Sequence, residues 1–177
     1  MLSALFMAGL MSACDLFDKA DDISFTTDLK KSVDVNEGRT DTNIDYTEDF
    51  TIDFSSDPEA DKYKDKLNNV VLNKITYKIS NFDGAAGTMF SGNLSFAAAT
   101  ANTFNIAVAL EDVDLKMRSE SGEEAELSLS QTDINTITSL LKNDKAIKVL
   151  MTGVLSQGPV SFTLEVKANV KITADAL

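Results

Sequence analysis

The chain has 177 residues, with 16 Lys+Arg against 28 Asp+Glu for a net charge of −12, no His, no Trp and one Cys. The lack of imidazole removes Ser-His-Asp and Cys-His catalysis and His-containing zinc sites, and one Cys forms no internal disulfide. Only two arginines, Arg39 and Arg118, and the acidic balance oppose nucleic acid as a partner, because that affinity rests on phosphate neutralisation. The apolar fraction of 44% is that of an ordinary domain able to bury a core.

The first thirteen residues, MLSALFMAGLMSA, carry no charge and are nearly all apolar or small. They are too few to span a bilayer, which takes about 20 apolar residues, but suit the apolar region of a secretory signal. Cys14 follows at once, and the DLFDKADD after it places Asp15, Asp18, Asp21 and Asp22 close together. Leu10-Met11-Ser12-Ala13-Cys14 resembles the lipobox of bacterial lipoproteins. That resemblance implies cleavage between Ala13 and Cys14 and lipidation of Cys14 by a diacylglyceryl group and an amide-linked acyl chain such as palmitate. Each buried methylene contributes about 0.8 kcal/mol, so several chains hold where one is marginal. Asp15 alone is similar to an inner-membrane retention signal of enterobacteria. The cluster of acids resembles instead the surface-export signal of Bacteroidota lipoproteins, which implies an outer-membrane, surface-exposed location. The expected organisation is a signal peptide over 1–13, an acidic tether over 14–22 and one domain over 23–177. No Lys or Arg precedes the apolar run, as a start set downstream of the true one would leave it.

From residue 23 the apolar period becomes two. Ile23, Phe25, Leu29, Val33 and Val35 share one parity and predict a half-buried strand, or two strands in line, ending at Asn36-Glu37-Gly38. Ile44, Tyr46, Phe50, Ile52 and Phe54 repeat the pattern. Asp57-Pro58-Glu59 reads as a helix start, with Ala60, Tyr63 and Leu67 on one face. Ile75, Tyr77 and Ile79 predict a strand, and so do Phe90, Leu94 and Phe96, with Gly92 marking a bulge. Phe104, Ile106, Val108 and Leu110 alternate with Asn105, Ala107 and Ala109, a small second face that favours a tightly packed second layer. Val113, Leu115 and Met117 continue that strand to the polar turn at 119–124, and Leu127 with Leu129 forms a short return strand.

Ser130 and Asp133 resemble a capping box, and Ile134, Ile137, Leu140 and Leu141 follow helical spacing as far as Asn143. This second helix is expected to cover an open end of the β core. Ile147, Val149 and Met151 form a strand interrupted at Gly153, and Gln157-Gly158-Pro159 turns the chain. From Val160 to Ile172 every even residue is apolar and every odd one polar. Such a strand spans roughly 43 Å at about 3.3 Å per residue, long enough to suggest a bend or a switch of sheet. The sum is an all-β domain, an antiparallel β-sandwich of about seven to nine strands with two short helices; a β-barrel is the runner-up.

Chemistry is left to carboxylates, hydroxyls and lysines. Glu111, Asp112 and Asp114 sit together near a strand end, but the aromatic platforms usual in sugar clefts are missing, and Tyr46, Tyr63 and Tyr77 fall on core positions. Calcium suits clustered oxygens, and Asp112 with Asp114 is the candidate pair. Asp34 to Asp41 is only superficially like a calcium loop, since Arg39 stands where such loops need Gly. Gly84 and Gly87 in DGAAG lack the Lys of a phosphate loop and read as a hairpin tip. No cofactor is expected. Two function classes fit: a lipid-anchored, non-enzymatic envelope module that binds another envelope protein through loops or a sheet edge, or a carrier or sensor of a lipid or other hydrophobic ligand.

Overall fold

A computed structural model of the chain describes residues 22–176; the apolar segment 1–13, Cys14 and the tether up to Asp21 lie outside the described residues. The described residues form two four-stranded antiparallel sheets packed as a sandwich. The first sheet holds β1 (Asp22–Glu37), β8 (Val160–Asp175), β3 (Leu67–Gly84) and β6 (Ala125–Glu126), in that order. The second holds β2 (Thr42–Asp53), β7 (Ala146–Gln157), β4 (Met89–Ala98) and β5 (Ile106–Asp114). Neither sheet closes on itself, so the architecture is the sandwich and not the barrel.

The strict alternation of β8 places it at the centre. Val160, Phe162, Leu164, Val166, Ala168, Val170, Ile172 and Ala174 are all buried, and β8 pairs with β1 along its whole length and with β3 on its other side. It stays in one sheet throughout, so of the bend or switch of sheet expected for its length, the switch does not occur. The irregularity lies in β3, whose register slips between Leu67 and Asn69, between Leu72 and Lys74 and between Ser80 and Asp83. The slip between Leu72 and Lys74 inverts the parity of the strand, so Val70 and Leu72 before it and Ile75, Tyr77 and Ile79 after it all reach the core.

Three α-helices complete the described fold. In α1 (Pro58–Tyr63) the Asp57 carboxylate accepts from the backbone N–H groups of Glu59 and Ala60. The chain then makes a single 3₁₀ turn and enters β3 at Leu67, so Leu67 belongs to a strand and not to the helix face. Leu115 and Met117 do not extend β5: α2 (Leu115–Ser121) begins there, capped by Asp114 and ended by Gly122 at a φ of 63°. α3 (Gln131–Asp144) carries the capping box of Ser130 and Asp133, buries Ile137 and Leu141, and touches β3, β7 and β4, thereby covering one end of both sheets as expected. Gly153 does not interrupt β7, which runs unbroken through it. The interior is a single cluster of buried side chains that includes Phe54, Phe90 and Phe96, each contributing roughly 1.5–3 kcal/mol on burial. Tyr77 is buried, and Tyr46 and Tyr63 pack against this cluster half-buried.

Candidate functional site

A sandwich of two open sheets has strand edges to protect, and most of them here are protected. On β1, the exposed Lys31 stands at the parity of Leu29 and Val33, and Ser56 Oγ accepts from the Lys30 N–H at 3.1 Å. The β2 edge presents exposed Asp45, Glu48 and Asp49. β6 is only two residues long. On either side of it the β3 backbone is met by other groups: Thr138 Oγ1 of α3 accepts from Leu72 N–H, Leu127 N–H donates to Ile75 C=O, and Ser119 Oγ of α2 accepts from Phe82 N–H.

The outer face of the first sheet is a hydrogen-bonded lattice. Lys167 pairs with Glu124 and, at 3.6 Å, with Asp28, while Thr76 Oγ1 donates to Glu124 and Asn169 Nδ2 donates to Asp28. The Lys167 ammonium and the Thr76 hydroxyl hold the Glu124 carboxyl below its ordinary value, and Glu124 raises Lys167. In the Asp34–Asp41 segment, Arg39 binds Glu37 through two nitrogens and holds its carboxyl down to about 2, and Asp34 accepts from Thr163.

β5 is different. It is the last strand of its sheet, and among the described residues no side chain caps the backbone of Ile106–Leu110. Ile106, Val108 and Leu110 face the core while Ala107 and Ala109 are exposed, so the small second face meets solvent and not the second layer expected for it. Residues 84–110, which contain all of β4 and the first half of β5, hold no charged side chain at all. In a chain in which a quarter of the residues are charged, that run is the sequence signal for this surface.

Alongside β5 from Val108 to Asp114 lies an open cleft of about 560 Å³, walled by β5, α2 and the segment through β6. Its lining carries Glu111, Asp112, Asp114, Glu123 and Glu126 against the single cation Arg118, a net of −4. Tyr77 lines it too, with the Arg118 guanidinium 5.8 Å from the ring centroid, and Met117 at its rim is 68% exposed. The acids singled out by spacing are thus brought to one place, whereas Arg118, Tyr77 and Met117 join them only through the turn into α2.

The candidate calcium pair is held by backbone work within this wall. Asp114 Oδ1 accepts from Met117 N–H at 2.9 Å as the cap of α2. Asp112, at a φ of 47°, takes Ser91 Oγ–H at 2.9 Å and donates its own N–H to the same oxygen at 3.2 Å, where Glu111 and Asp112 bulge opposite Ser91. The bulge expected at Gly92 is therefore present, with its extra residues on β5. Among the described residues, no three His, Cys, Asp or Glu side chains gather as a metal cluster. The cleft offers carboxylate acceptors and a free strand edge, which is chemistry for holding an extended chain.

No protein-family model and no curated protein matches the sequence. Among solved structures, that of Desmodium yellow mottle tymovirus aligns with 99% of this chain and 97% of its own at 9% identity and a TM-score of 0.42. The capsid protein of BFDV, in a decameric form, aligns with 85% of this chain and 99% of its own at 8% identity and a TM-score of 0.46. Turnip yellow mosaic virus aligns with 88% of this chain and 96% of its own at 9% identity and a TM-score of 0.40.

Proposed function

We propose that the chain is a lipid-anchored cell-envelope protein whose sandwich is a non-enzymatic binding module, and that β5 is its contact element, accepting an extended strand from another envelope protein. The observation that carries this reading is the uncharged, uncapped Ile106–Leu110 edge in a molecule whose other edges carry charge or caps. Such an edge offers a row of main-chain donors and acceptors to an incoming strand. The filled interior, one continuous cluster of buried side chains, favours this module over a carrier of a buried hydrophobic molecule. The run ending at Cys14 supports the anchor, since β1 begins at Asp22 and leaves only a short tether between lipid and domain.

The test has two parts, both on the full chain in its native envelope. Cys14→Ser is expected to move the protein from the membrane to the soluble fraction; a variant that stays membrane-bound with unchanged gel mobility contradicts the anchor. Ala107→Lys with Ala109→Lys places two charges on the exposed face of the edge strand. The doubly substituted protein is expected to migrate as a monomer on a native gel where the parent migrates in a larger complex, and equal migration contradicts the contact.

A further inference from the structure

The edge and the cleft are continuous, because β5 supplies both: Ile106–Leu110 is uncharged, and Glu111, Asp112 and Asp114 follow it directly into the wall that Glu123 and Glu126 complete. Resting on the reading of β5 as a strand acceptor, we propose that the accepted strand is basic in its first residues and uncharged in those that follow. Every pairing among the described residues is antiparallel, and an added antiparallel strand starts where β5 ends. Its first residues therefore lie along Glu111–Asp114, the acidic stretch of a cleft whose net charge of −4 selects Lys and Arg over Asp and Glu. Its later residues lie along Ile106–Leu110, beside exposed Ala107 and Ala109, where a charge on the partner finds no counter-charge on the strand. Of the cleft cations, Arg118 alone opposes a basic residue, and its guanidinium is drawn over Tyr77. The chemistry of the partner is thus an extended polypeptide segment that opens with a short basic run and continues with alternating small and apolar residues.

The probe is a labelled synthetic peptide about ten residues long, a typical upper strand length, with Lys and Arg in its first three positions and alternating Val and Thr after them, titrated into the full protein and followed by fluorescence anisotropy. The account expects it to bind about tenfold tighter than the same peptide with Ser in place of the basic residues, at about 0.1 M salt. That advantage shrinks at about 1 M salt, where the Debye length is about 3 Å. It also disappears in the protein carrying Glu111→Lys and Glu126→Lys, two exposed positions. Equal binding of the Ser peptide, or of a peptide with its basic residues at the other end, overturns the basic-first assignment and leaves strand addition standing. Two further peptides, N-methylated at odd or at even positions, address strand addition itself, since one of them must lose a full row of pairing N–H groups. If both bind like the parent, edge pairing is wrong whatever the charge. Failure of the basic-first peptide to bind at all overturns the assignment.

Discussion

Gly92 of β4 and Gly153 of β7 face each other across the second sheet, and the ring of Phe90 lies against both. A Cβ built on Gly92 would stand 2.1 Å from the Thr152 carbonyl oxygen and 2.9 Å from Phe90 Cζ, and one on Gly153 would stand 2.5 Å from the Ser91 carbonyl oxygen and 2.6 Å from the same ring carbon. The pair of glycines is what lets a fully buried Phe sit flat on the core face of the strands that carry β5. Gly153→Ala is therefore expected to cost on the order of 3 kcal/mol of stability by urea unfolding. Phe90→Leu in the same chain should not restore it, because two of the three clashing atoms, the Ser91 carbonyl oxygen and Gly92 Cα, belong to the backbone. A Gly153→Ala protein as stable as the parent would show that the strands part more easily than this packing implies.

Thr138 and Ser119 close the β3 edge with single hydroxyls. Thr138→Val keeps the side-chain shape of Thr138 but leaves the Leu72 N–H without its acceptor. The expected loss is about 1–2 kcal/mol, the cost of an unmade hydrogen bond at a part-buried site. Thr136→Val, two residues earlier in α3, removes only a bond to the Thr132 carbonyl on the exposed helix face, and is expected to be near neutral in the same assay.

Stability is expected to fall in acid, and Glu124 is one source. Its carboxyl is held below its ordinary value by Lys167 and Thr76. A lowered folded value means that the stabilisation is full above the unfolded pKa of about 4.3 and is lost as pH drops through the folded one. Glu37, held down to about 2 by Arg39, acts in the same direction. Lys167, raised by Glu124, acts in the opposite one, losing its contribution only in alkali as pH rises through its folded value. Urea midpoints measured from neutral pH into acid should decline less steeply for Glu124→Gln than for the parent, and parallel curves would remove Glu124 from the explanation.

Asp114 is assigned to the backbone of α2. Asp114→Ala should cost about 1 kcal/mol, whereas Asp114→Asn, which still offers an oxygen to the Met117 N–H, should cost little. Equal losses in thermal unfolding would mean that the negative charge and not the cap is what matters there.

Much of the fold is legible in the sequence because burial on one face writes a period of two. The β8 run is the clearest case, and the caps at Asp57 and Ser130 are equally local. β3 is half hidden for the same reason inverted: the slip between Leu72 and Lys74 changes parity mid-strand, so Val70 and Leu72 appear out of phase with Ile75 and Tyr77. Leu115 and Met117 continue the alternation of β5 by spacing, and the Asp114 cap that turns the chain into α2, though as local as the caps at Asp57 and Ser130, is masked by that alternation. The acids of the cleft are visible as neighbours in the chain, but the Tyr77 and Arg118 contact joins β3 to α2 and has no sequence period. That one row of β5 backbone groups is left without a partner strand is decided by β5 being last in its sheet, a fact of strand order.

Whether β5 is where the molecule meets its partner can be read from a photo-activated cross-linker placed at Ala109 in the native envelope, with Thr47 on the β2 edge as the reference position. One discrete adduct is expected at Ala109, lost when Glu111→Lys and Glu126→Lys are added, and none at Thr47. Absence of an adduct at Ala109, or the same adducts at both positions, would contradict β5 as the contact.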